Sequence, residues 1–123
     1  MLLDRFEEGV ALFNSGHYFE CHDAWEDVWR EMGGREKIFV QALIQVAVAL
    51  HHGTHQNARG AHSLLERASA TLREFGPEFA GVNVKALLTA AERWKEALAS
   101  EAAVPQLPTL LVTRPEMLES LFP

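Results

Sequence analysis

Tyr18-Phe19-Glu20-Cys21-His22-Asp23-Ala24-Trp25-Glu26-Asp27-Val28-Trp29-Arg30 is the stretch on which the fold of this chain turns. At a helical step of about 100° per residue, Tyr18, Phe19, Trp25 and Trp29 share one face, an aromatic stripe that calls for burial. His22 and Glu26, one turn apart, fall inside that stripe. Glu20, Asp23 and Asp27 take the opposite, watery face. Turning an imidazole and a carboxylate inward costs several kcal/mol unless partners meet them. A candidate site is therefore marked before any function is.

The flanking sequence supplies the neighbours. Leu3, Phe6, Val10 and Phe13 recur at three and four residues and predict a first helix over about 3–13. Asn14-Ser15-Gly16 ends it, and the short turn sets the first two helices antiparallel. Met32-Gly33-Gly34 is a break. A third helix is expected from about Glu36 to His52, apolar almost all round and so central. Its exceptions, Gln41, Gln45 and His52, lie within about 40° of one another on the wheel. A polar stripe on a buried helix needs a polar stripe opposite, and His22 with Glu26 would provide it.

Gly53 to Arg59 is expected to be a loop. A fourth helix follows, carrying Ala61, Leu64, Leu65, Ala68, Leu72 and Phe75, and Gly76-Pro77 stops it. A fifth starts at Asn83, a natural N-cap, with Val84, Leu87, Leu88, Ala91, Trp94 and Leu98 inward. Pro105-Gln106-Leu107-Pro108 is extended, because each proline disfavours helix at the residue before it. Thr113-Arg114-Pro115-Glu116 has the form of a capping box opening a short last helix to Leu121. No sustained period of two predicts a strand. The expected fold is all-α: a single-domain bundle of about five helices over residues 1–100. A C-terminal arm over residues 101–123 would pack on the bundle or on a partner subunit, the latter making a homo-oligomer.

Composition narrows the function classes. The chain has 123 residues, 48% apolar and 23% charged, within the range of one globular domain with one core. A net charge of −6 argues against a nucleic-acid partner and against anionic membranes. Cys21 is the lone cysteine, so no internal disulfide forms, and a reducing, cytoplasmic setting is expected. The first residues lack the pattern of a signal peptide. The longest apolar run, Ile38 to Leu50, is interrupted by Gln41 and Gln45 and is too short to span a bilayer.

One larger pattern stands out. Phe13, Asn14, Gly16, Tyr18, Phe19, Glu20, His22, Asp23, Trp25, Glu26, Trp29 and Arg30 are followed by Phe39, Gln41, Leu43, Ile44, Gln45 and Ala47. This spacing resembles the DUF309 family, small all-helical proteins of undetermined function, over roughly residues 6–72. The resemblance implies that the family's signature histidine and glutamate fall on His22 and Glu26, and its paired glutamines on Gln41 and Gln45. It also marks two departures, Asp23 in place of Glu and Ala42 in place of Gly. It implies a helical fold and brings no reaction with it.

Three chemistries compete for His22, Glu26, Gln41, Gln45 and His52. The first is a structural network of mutually satisfied polar groups, which suits the amides of glutamine. In that case the chain is a structural, binding or scaffold protein. The second is a divalent metal site of His22, Glu26 and His52, of the kind a small hydrolase-like enzyme would use. The third is metal-free acid–base chemistry by His22 and Glu26. Trp25 and Trp29 would serve as core or pocket wall, and Arg30 could pair with Glu26. His51 and His55 form a second i, i+4 pair if the third helix runs on, on a different face from His52. They are expected to catch adventitious metal rather than to serve the protein.

Overall fold

The computed structural model describes residues Met1–Pro123. Five helices form in chain order: α1 Leu2–Asn14, α2 Tyr18–Trp29, α3 Gly34–Thr54, α4 Ala58–Leu72 and α5 Val84–Ala99. Each packs on the next, and α3 carries eight buried residues between α2 and α4. Buried side chains from α1 through to Leu121 form one continuous core. No helix is long and apolar enough to cross a membrane.

The turns follow their residues. Gly16 takes a φ of +81° between α1 and α2, and Gly34 one of +64° at the start of α3. Asn57 and Asn83 cap α4 and α5, each side chain accepting from the backbone three residues on, Gly60 at 3.0 Å and Ala86 at 2.9 Å. The expected loop over 53–59 shrinks, because α3 runs on to Thr54 and α4 begins at Ala58.

Three other expectations give way. A two-stranded hairpin, β1 Glu78–Phe79 and β2 Val82–Asn83, turns through Ala80 and Gly81, both at positive φ. Two-residue strands are too short to show a period of two. The capping box does not form: Thr113 Oγ1 instead meets Glu78 and the Gly81 carbonyl, and Pro115–Leu121 is a 3-10 helix without a side-chain cap. Phe19, placed in the buried stripe by its spacing, is 58% exposed.

The chain after α5 lies against its own bundle. Leu110, Leu118 and Leu121 are buried in the common core. The Asn14 side chain grips the Leu110 backbone from both sides, accepting from its N–H at 2.7 Å and donating to its carbonyl at 3.3 Å. Trp94 Nε1 donates to the Gln106 carbonyl at 3.3 Å. Val112 pairs with Val82 at the hairpin edge, and Arg114 bonds Glu78. Leu107 and Leu111 stay exposed.

Candidate functional site

The position of α2 decides what its polar residues can do. Its buried residues are Tyr18, Cys21, Ala24, Trp25 and Val28. The centre of that face lies roughly 80° round the helix from the aromatic stripe. Small Cys21 and Ala24 let the neighbouring helices come close, and Trp25 fills the space that remains. The Trp25 indole lies against Gly9 of α1, stacked between Phe6 and Phe13 at 5.7 Å from each, and donates to the Phe6 carbonyl at 3.1 Å. Tyr18 packs edge-on to Phe13, and its burial pushes the phenol up to about 12. Burial also raises the Cys21 thiol far above its ordinary range, so this sulfur is inert packing.

That rotation carries His22 and Glu26 to the edge of α2, with side chains 29% and 33% exposed. His22 Nε2 lies 2.7 Å from Glu26 Oε2. Arg30 donates to the other carboxylate oxygen at 2.9 Å and to Asp27 at 3.0 Å, and Arg5 of α1 donates to Asp27 at 2.8 Å. An ion ladder thus runs from α1 along α2 to the imidazole. Arg5 holds the Asp27 carboxyl below its ordinary range, with Arg30 adding to the effect. Trp29 is half-buried rather than core: Lys37 Nζ sits 4.3 Å from its ring centre, and its Nε1 has no hydrogen-bond partner.

The expected shared network does not assemble. Gln41 is exposed and Gln45 half-buried, and no hydrogen bond joins either amide to His22 or Glu26. The stripe that looked like an inner seam of α3 runs instead from the exposed Gln41 through the half-buried Gln45 and His52. No group of three or more His, Cys, Asp or Glu side chains is placed to hold a metal ion. Of the trio His22, Glu26 and His52, the first two meet, while His52 joins His22 only as lining of a different feature.

That feature is a pocket of about 250 Å³ between α2 and α3, lined by Tyr18, Phe19, His22, Val48, His51 and His52. The Phe19 ring centre lies 5.8 Å from that of His51 and 6.3 Å from that of His22. His51 stacks on His55 at 4.1 Å and lies 6.1 Å from His52. Burial, then the neighbouring imidazoles His55 and His52, lower the His51 pKa; Glu20 opposes them, and His22 adds a smaller lowering. Tyr18, Phe19, Val48 and His51 were not among the expected site residues. The i, i+4 histidine pair was the available signal for this end of α3.

Residues 6–64 match the model of a family described as a domain of unknown function, DUF309. Over that stretch the chain is similar to the DUF309 family. The matched segment covers α2, α3 and every residue that lines the pocket, together with the Trp25 seat on α1. The chain is also similar to the uncharacterized protein YpuF of Bacillus subtilis (strain 168), 39% identical over 57 residues. That similarity takes in 46% of this chain and 33% of YpuF, so the chain spans about a third of the curated relative it matches.

Proposed function

We propose that this chain is a binding protein, and that its DUF309-like segment binds through the pocket between α2 and α3. The observation that carries this is the exposed Phe19 beside a concave pocket walled by tyrosine, valine and three imidazoles. A large aromatic left in water next to a hollow is the usual anatomy of a recognition surface. The His22–Glu26–Arg30 chain then serves to fix one wall, since it holds the His22 ring at the pocket rim. A lone thiol sealed in the core agrees with a cytoplasmic setting.

The alternative is a small hydrolase-like enzyme, with or without a divalent metal, built on His22 and Glu26. Its support is the 2.7 Å approach of Nε2 to Oε2. Against it, both oxygens of Glu26 are engaged, one by His22 and one by Arg30. That leaves the carboxylate poorly placed to ligate a metal or accept a substrate proton.

The test is retention of small molecules from a metabolite extract by the wild-type chain and by a Val48→Trp variant that fills the pocket, read by mass spectrometry. A molecule held by the wild type and lost from the variant is the expected result. Equal retention by both, or none by either, overturns the binding site. Turnover of a generic ester or phosphoester that Glu26→Gln abolishes would favour the enzyme instead.

A further inference from the structure

The hollows of this fold differ in what lines them. One between α4 and α5 carries Arg59, Glu66 and Glu101, and one beside the chain end carries Glu31 and Glu36. The pocket between α2 and α3 has no Lys, Arg, Asp or Glu among its six lining residues. We propose that it takes a small uncharged molecule presenting a flat ring. This rests on the binding reading above and names the class of ligand.

Size supports one or two rings. A dry cavity of about 150 Å³ holds a benzene ring, and this pocket measures about 250 Å³. The walls suit a ring as well. Phe19 and His51 are tilted 52° to one another and Phe19 and His22 45°, so a flat guest can meet one face and another edge in the offset and edge-on contacts aromatics prefer. The polar handles are imidazole nitrogens. Neutral imidazole offers one donor and one acceptor, and the ring of His52 makes no hydrogen bond within the chain. The buried Tyr18 hydroxyl is not a handle, because the protein covers it.

Charge complementarity separates the alternatives. An anion would need a permanent cation in the wall, and no Lys or Arg lines it. Burial and the neighbouring imidazoles also disfavour a positive charge on the His51 ring. An ammonium group would have to leave water without a carboxylate in the lining to receive it. A neutral ring loses least on entry.

Amide chemical shifts of the full chain, titrated with benzyl alcohol, benzoate and benzylammonium, test the proposal. These probes share a ring and differ in charge. Benzyl alcohol should move the amides of Phe19, Val48 and His51 saturably, with a millimolar Kd, and bind more tightly than either ion. Phe19→Ala should weaken it about fivefold, the loss of one ring contact. Phe19 is exposed, so the fold should survive, as an unchanged spectrum elsewhere will show. Tighter binding of benzoate or benzylammonium at these amides overturns the ligand class and leaves the binding site standing. Shifts that map elsewhere, or that Phe19→Ala does not affect, overturn the site with it. No response to any of the three probes overturns the ligand class, while the extract experiment still decides the site.

Discussion

Gly9→Ala is the substitution that best separates local propensity from packing. In an exposed helix interior, alanine in place of glycine stabilises by about 1 kcal/mol. Here the new Cβ would strike Nε1 and Cδ1 of Trp25. That ring cannot swing aside: it is fully buried, stacked between Phe6 and Phe13, and bonded to the Phe6 carbonyl. Overpacking costs about 1–3 kcal/mol, and displacing the indole forfeits a hydrogen bond worth about 1 kcal/mol. Packing should win, for a net loss of about 1–3 kcal/mol after the propensity gain. Urea unfolding followed by far-UV circular dichroism gives the number. A Trp25→Leu background supplies the sign test. With the indole gone, the alanine has room, and Gly9→Ala should turn mildly stabilising. The double-mutant cycle should therefore show coupling of about 2–3 kcal/mol. If Gly9→Ala stabilises the wild-type chain, or costs the same in both backgrounds, then Trp25 does not sit on Gly9 and the α1–α2 packing is misread.

Asn14→Ala should strip the Leu110 backbone of both partners and cost about 1–3 kcal/mol, with faster proteolytic cleavage after α5 as the readout. Glu26→Gln should change stability by less than about 1 kcal/mol in thermal unfolding, because the ion pairs it breaks are partly exposed; a larger loss would restore a buried role for this carboxylate. Stability should also fall with acid through His51. Its folded pKa is depressed, so the unfolded chain binds the proton first; the contribution is present above the ordinary imidazole pKa and is lost as pH falls toward the depressed one. His51→Gln should flatten that part of the stability–pH curve, and an unchanged curve would place the titration elsewhere.

Much of the fold was legible because helices announce themselves by period. The Asn83 cap and the stops at Gly16 and Gly76 are properties of single residues and survive into the structure. The facing of α2 was not legible in the same way. Aromatic residues drew the eye to Phe19 and Trp29, yet burial follows fit as well as hydrophobicity, and fit here depends on Cys21, Ala24 and a glycine on another helix. Tyrosine and tryptophan are suited to a boundary, with one apolar body and one polar tip, so they mark an edge as readily as a core. An error in rotation then propagated to the site. It placed His22 and Glu26 inside, and the glutamines of α3 were expected opposite them for the same reason.

The boundary position also bears on what His22 and Glu26 are for. The ladder Arg5–Asp27–Arg30–Glu26–His22 consists of pairs whose side chains are roughly 30% to 60% exposed. Pairs of that kind contribute about 0–1 kcal/mol each, too little for stability to be their main consequence. What such a chain does well is restrict geometry. Each member has two partners or lies at an end, so the His22 ring is held through Glu26, Arg30 and Asp27 to a second helix. The fixed ring is one that lines the pocket, one turn from Phe19. Arg30→Ala should therefore change little in an unfolding curve. Because it releases Glu26 and through it His22, it should weaken whatever the pocket holds, whereas Arg30→Lys, which keeps the charge, should recover part of the loss. A variant that destabilised the fold by several kcal/mol while leaving binding untouched would reverse this assignment and make the ladder a structural brace.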